Sequence, residues 1–110
     1  MRRLFLILSL LLVVTALGSS ASLAQTKLDA SIFSYDGKDF TRTETTLMKE
    51  GQSAVGTKLA PDSRAYKALV EKHSYTGPAT VFGKDYQADY APLISEDGKL
   101  TGAVFVGVPK

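Results

Sequence analysis

No cysteine and no tryptophan occur in this chain, and histidine occurs once. Without cysteine there is no disulfide, no thiol nucleophile, no Cys-ligated zinc and no iron–sulfur cluster. A lone His73 cannot build a zinc site, which takes three or four protein ligands; it reads as a packed or surface residue of a helix. No HExxH, no Ser/His/Asp order and no paired carboxylates in an apolar setting are present. The glycines are scattered, and they form no phosphate loop. Asp36 and Asp97 stand beside glycines, where Asp is a turn former. After Arg3 there is no Lys/Arg run and no basic stripe, so nothing points to a nucleic acid. The expectation is a protein that is not an enzyme, with no cofactor and no metal.

What is present begins with an export signal. Arg2 and Arg3 supply a positive start, Leu4 to Leu17 is apolar apart from Ser9 and Thr15, and Ser22-Leu23-Ala24 offers small residues where a signal peptidase cuts. Cleavage is expected between Ala24 and Gln25. The rival reading, an uncleaved membrane anchor, wants ~20 apolar residues, and this run is shorter. Residues 1–24 are thus expected to be a signal peptide and 25–110 one domain, placed in the periplasm or secreted. The domain holds 86 of the 110 residues, near the lower end of what folds without staples.

Charge changes with export. The whole chain has 13 basic and 11 acidic residues. Arg2 and Arg3 leave with the signal, so the remaining domain carries equal numbers of each sign and is not a basic protein.

Periodicity predicts α+β structure. Leu28 to Tyr35 alternates as a strand, Asp36-Gly37-Lys38 turns, and Phe40 to Thr46 is rich in β-branched residues. Leu47 to Ala60 reads as a loop, with room for one helical turn. A helix from about Ser63 to Lys72 follows, with Asp62 or Ser63 as N-cap and Tyr66, Leu69, Val70 and His73 on one face. Three strands complete the chain: a short one at Ala79 to Phe82, then Tyr86 to Ile94 and Leu100 to Val108. Pro92 predicts a bulge or an edge. Leu100, Val104, Val106 and Val108 fall on one face of the last strand, with Ala103 and Phe105 on the other. The sum is a five-stranded antiparallel sheet with one main helix between the second and third strands.

Seven short stretches in order carry a family resemblance. They are Ala30-Ser31-Ile32-Phe33; Phe40-Thr41-Arg42-Thr43 with Thr45; Ala54-Val55-Gly56-Thr57-Lys58-Leu59; Tyr75-Thr76-Gly77-Pro78-Ala79; Val81-Phe82 before Gly83; Tyr86 with Tyr90-Ala91-Pro92-Leu93; and Asp97-Gly98-Lys99 leading into Gly102-Ala103-Val104-Phe105-Val106-Gly107-Val108. In this series the chain resembles a single Cache domain, the PAS-like extracellular sensing module of bacterial chemoreceptors and sensor kinases. Receptor versions carry a long helix before the first strand and continue into a second membrane helix. Here three residues separate the expected cleavage point from the first strand, and the chain stops at Lys110, so the expectation is a free-standing core without a signalling module.

The resemblance implies a small-molecule pocket on one sheet face, for an organic anion or an amino acid. Arg42 matches the family's strand-two arginine, and its guanidinium can hold a carboxylate in a bidentate pair. Its other reading is a pair with Glu44, two residues on along the same strand face. Tyr75, Tyr86 and Tyr90 offer hydroxyls on apolar rings. Lys58 adds a second cation, and Thr45 a hydroxyl. A rival function is an accessory protein that docks through its sheet on a membrane receptor, or on a second copy as a homodimer.

Overall fold

The computed structural model describes residues 28–110; the expected signal peptide and its Ala24–Gln25 junction lie outside them. Within the described chain, alternating residues build a sheet whose inner side is aromatic. Strand β1 (Asp29–Tyr35) turns through Asp36 and Gly37 into β2 (Phe40–Thr45). The Asp36 carboxylate accepts hydrogen bonds from the Lys38 and Asp39 amides, as an Asx turn does. A small hairpin, β3 (Met48–Lys49) and β4 (Gln52–Ser53), comes next. Helix α1 (Arg64–Val70) leads to β5 (Tyr75–Val81), β6 (Lys84–Ile94) and β7 (Leu100–Pro109). The five long strands form one antiparallel sheet in the order β2-β1-β7-β6-β5.

The expected α+β layout holds, with corrections. The helix does not follow β2 directly, because the β3–β4 hairpin intervenes where a loop was expected. Its four paired residues are all exposed, so no burial pattern marked them. The helix is also shorter than Ser63 to Lys72. Ser63 caps it, its hydroxyl accepting from the Tyr66 amide at 3.1 Å. Lys72 takes a positive φ of 65°, which ends the helix as left-handed residues do. Leu69 and Ala65 are the buried helix residues, while Val70 and His73 are exposed. Strand β5 starts four residues before the expected Ala79. It is an edge strand, where Pro78 removes no needed donor, and Gly77 leaves space for the Tyr75 ring to fold back over it.

Two register shifts decide which side chains face inward. Between β6 and β7, Leu93 pairs with Gly102 but Ile94 pairs with Leu100. Thr101 is the extra residue of a β-bulge, which breaks strict alternation. Leu100 is therefore buried with Ala103 and Phe105, not exposed with Val106 and Val108. Pro92 lies beyond the reach of β5, whose pairing ends at Tyr90, so it occupies a one-sided stretch of β6. The second shift, between β1 and β2, bears on Arg42 and is described below.

The core lies between the inner sheet face and the segment containing the hairpin and α1. Phe33, Phe40, Leu69, Tyr86, Tyr90 and Phe105 are its largest fully buried residues. The aromatic rings among them meet edge-on or tilted: Phe33 to Phe40 at 6.4 Å, Tyr86 to Phe105 at 5.8 Å and Tyr90 to Phe105 at 4.9 Å. Such pairs add about 0.5–1.5 kcal/mol each beyond area burial. Gly107 makes room for two of them, since a Cβ there would lie 2.5 Å from Phe105 Cζ and 2.9 Å from Tyr86 Cδ1.

The outer face of the sheet is different. Ile32, Val106 and Val108 are each 43% exposed. Ile32 pairs with Val104 and Ala30 with Val106, so these apolar residues form a continuous patch across β1 and β7.

Candidate functional site

Strand β2 carries Arg42, and a bulge orients it. Ile32 pairs with Glu44, but Phe33 pairs with Arg42, which leaves Thr43 as the extra residue. Without this bulge Arg42 and Glu44 would share a face. With it, Arg42 lies opposite the core residue Phe33 and Glu44 opposite the exposed Ile32. The Arg42–Glu44 pair considered from sequence does not form, and among the described residues Arg42 has no ion-pair partner.

The guanidinium is nevertheless buried, with Arg42 only 2% exposed. One arm, Nη1, donates to Thr57 Oγ1 at 3.1 Å, and that hydroxyl donates onward to Ala54 O. The guanidinium carbon lies 4.8 Å from the Phe33 ring centroid and 5.0 Å from that of Phe82. Aromatic faces attract cations at such distances. Nε has no hydrogen-bond partner among the described residues. Burial lowers the Arg42 pKa from its ordinary value, with a small opposing effect from Tyr90. The group stays charged at neutral pH, as guanidinium does in proteins.

Segment 56–59 runs along the free edge of β2 and fixes this arrangement. The Arg42 amide donates to Thr57 O at 2.8 Å, Gly56 N to Arg42 O at 2.8 Å and Leu59 N to Phe40 O at 2.9 Å. This ladder sets Thr57 beside the arginine and brings Lys58 to the same cavity. Lys58 is paired with Asp39 at 3.2 Å and is well exposed.

Arg42, Lys58, Tyr75 and Tyr90 line one cavity of about 360 Å³, between the inner sheet face and the start of α1. Tyr90 is buried, and burial pushes its hydroxyl up to about 12, although Arg42 acts the other way. It is therefore a neutral donor at physiological pH. The Tyr75 hydroxyl donates to Pro78 O at 2.6 Å, so toward a ligand it offers its ring and its lone pairs. Tyr86 and Thr45 are not in this cavity. The Tyr86 hydroxyl donates to Asp29 Oδ2 at 2.7 Å, and burial together with that carboxylate raises it to about 12. Thr45 is engaged by Ser31 Oγ, Ala30 O and the Leu47 amide.

Sequence reasoning passed over two residues of the wall, Arg64 and Phe82, and one behind it, Thr57. Thr57 supports Arg42 directly. Arg64, the first residue of α1, adds an exposed cation at the cavity, and nothing distinguishes it in sequence from any surface arginine. The expected strand Ala79 to Phe82 puts Phe82 before the turn, at a strand end. The turn is Phe82-Gly83, both with positive φ (52° and 77°). A bulky residue directly before a hairpin glycine, where Asn or Asp is usual, was the available signal.

Charge gives the cavity its chemistry. Its lining includes three cationic residues, Arg42, Lys58 and Arg64, and no carboxylate. All 11 acidic residues of the chain lie at or beyond Asp29, so residues 1–27 could not supply one. Apolar walls from Leu59, Ala65, Ala79 and Val81 complete it. Such a mix of apolar surface and a few directed polar groups is what small-molecule sites share. No group of three or more metal-ligating side chains occurs among the described residues. No helix among them is long and apolar enough to cross a membrane.

An antiparallel sheet, a short covering helix and a cationic cavity between them define an α+β module with a cavity of small-molecule size. The Cache 3/Cache 2 fusion domain matches residues 22–110, and the chain belongs to that family. Cache domains are sensory ligand-binding modules rather than enzymes, and they typically stand in the extracellular or periplasmic space. No curated protein matches the chain.

Proposed function

We propose that this protein is an exported sensor-type domain that binds a small organic acid through Arg42. The observation that carries the reading is the Arg42 guanidinium: buried, unpaired by any acidic side chain, and lining a cavity. A buried charge without a counter-charge is costly, and a ligand carboxylate supplies the missing partner. Tyr90 would donate a hydrogen bond to that carboxylate, and Tyr75 would pack against the ligand. Arg64 adds positive potential at the cavity, which draws anions; Lys58, neutralised by Asp39, adds less. An organic acid fits better than an amino acid, because an α-ammonium group would meet the unpaired Arg42 and Arg64 and no lining carboxylate.

A thermal-shift screen of small carboxylates tests this. A true ligand at about 100 times its Kd stabilises by ~2.7 kcal/mol. Loss of that stabilisation in Arg42→Ala is expected; equal stabilisation of both proteins would refute the assignment.

The outer sheet face supports a second reading, docking on a receptor or on a second copy. The exposed Ile32, Val106 and Val108 favour it, since contiguous apolar patches mark interaction surfaces. Sedimentation decides for the purified protein: self-association lost in Val106→Lys supports docking on a second copy, and a strict monomer opposes it.

A further inference from the structure

We propose that Phe82 sets the length of acid the cavity accepts, standing as a wall between the Arg42 cavity and a second one beside it. This rests on the carboxylate reading above. Three independent observations meet at this residue. First, its backbone is in the left-handed region, at φ 52°, which a bulky side chain rarely adopts. With Gly83 also positive and Val81 paired to Lys84, this is a two-residue type I′ hairpin turn, and Asn would suit it better. Second, the ring is held by cations: it lies 5.0 Å from the Arg42 guanidinium carbon and 5.6 Å from Lys49 Nζ on the small hairpin. Third, Phe82 and Val81 are the residues that both cavities share.

The second cavity has a volume of about 210 Å³. At ~30 Å³ for a water-sized group, that is room for about seven. Leu47, Met48 and Val81 form one side of it, and Thr46, Lys84 and Tyr86 the polar remainder. Its one acid, Asp29, is already engaged by the Tyr86 and Thr46 hydroxyls. An unbranched acyl tail whose carboxylate sits on Arg42 would meet the Phe82 ring first and, behind it, the Leu47, Met48 and Val81 side of this second cavity. The ring thus does two things: it faces the guanidinium, and it closes the route by which a longer tail would extend.

The test is a titration series of unbranched monocarboxylates, acetate through octanoate, by calorimetry on the purified wild type, Phe82→Asn and Phe82→Leu. Asn-Gly is a pair the turn prefers, so Phe82→Asn keeps the hairpin while removing the wall. Wild type should bind short acids and lose affinity beyond one chain length. Phe82→Asn should bind longer acids, each further methylene that packs on Leu47, Met48 or Val81 tightening Kd by up to about fourfold as apolar surface is buried. Phe82→Leu keeps bulk without the aromatic face and should retain the wild-type length limit. If wild type and Phe82→Asn bind short acids with the same length limit, the wall is overturned while the carboxylate reading stands. If neither binds any acid in the series or in the wider carboxylate screen, the carboxylate reading itself fails and this inference falls with it.

Discussion

Replacing Arg42 by Met separates a structural arginine from a binding one. A buried arginine that holds the fold through an ion pair costs about 3–5 kcal/mol when truncated, because its partner is left unpaired. Here no acidic side chain would be stranded. The losses are the Nη1–Thr57 hydrogen bond, worth about 1.5–3 kcal/mol for a charged donor, and two contacts with aromatic faces at about 2 kcal/mol each for a desolvated cation. Thr57 keeps its bond to Ala54 O, so it is not orphaned. Against this stand the unpartnered Nε, a penalty of about 1–3 kcal/mol, and the desolvation of an uncompensated ion, itself several kcal/mol. Met keeps an unbranched stem in the same space. The opposing sums are close, and the ligand-free variant should lie within about 1 kcal/mol of wild type or above it. For a domain of this size that is a melting temperature no more than ~4–8 °C lower. The same variant should show no stabilisation by any acid that stabilises wild type. Differential scanning calorimetry with and without ligand reads both halves. A drop of several kcal/mol in the ligand-free variant would show that Arg42 is there for the fold, and the reasoning from an unpaired charge would be refuted.

Tyr86 and Tyr90, both raised to about 12, predict alkaline unfolding. An unfolded tyrosine ionises near pH 10, so their contribution to stability is intact below that point and is lost as pH rises from about 10 to 12. Tyrosinate absorbance during alkaline titration should show these two ionising only as circular dichroism reports unfolding; a full titration of all tyrosines near pH 10 with the fold intact would contradict it. Gly107→Ala puts a Cβ against Phe105 and Tyr86, and overpacking of this kind costs about 1–3 kcal/mol. Urea denaturation measures that loss, and an unchanged midpoint would mean the two rings are not packed as described.

Much of this fold was legible because half-buried strands alternate. Ala30 to Tyr35, Tyr86 to Tyr90 and Ala103 to Val108 all show an inner aromatic or small residue against an outer polar or aliphatic one. The Ser63 cap was legible for the same local reason, a hydroxyl three residues before an orphan amide. The β3–β4 hairpin was not, since two-residue exposed strands leave no periodic trace. Leu100 was misassigned because alternation counts residues, and the Thr101 bulge inserts one that the count cannot see. Of the site, Arg42, Lys58, Tyr75 and Tyr90 meet in one cavity, and Tyr86 shares the inner face with Tyr90 but sits four residues farther along the strand, beside Asp29. Strand parity places a residue on a face; it does not tell which end of that face is hollow.

The Thr43 bulge links that lesson to function. Arg42 and Glu44 lie two residues apart, and a regular strand would hold them on one face within pairing distance. A tethered carboxylate acts at an effective concentration that short linkers place in the millimolar range, so a Glu44 beside Arg42 would compete with every free acid below that level. The extra residue sends Glu44 to the outer face opposite Ile32 while Arg42 stays opposite Phe33. Bulges commonly redirect a side chain in this way beside functional sites. The arginine is thus left charged and buried without its nearest sequence partner, and the protein bears the cost of an unpaired ion in its ligand-free state. A group held in that condition is stabilised by whatever anion enters, so the feature that weakens the empty domain is the one that would couple ligand binding to its stability.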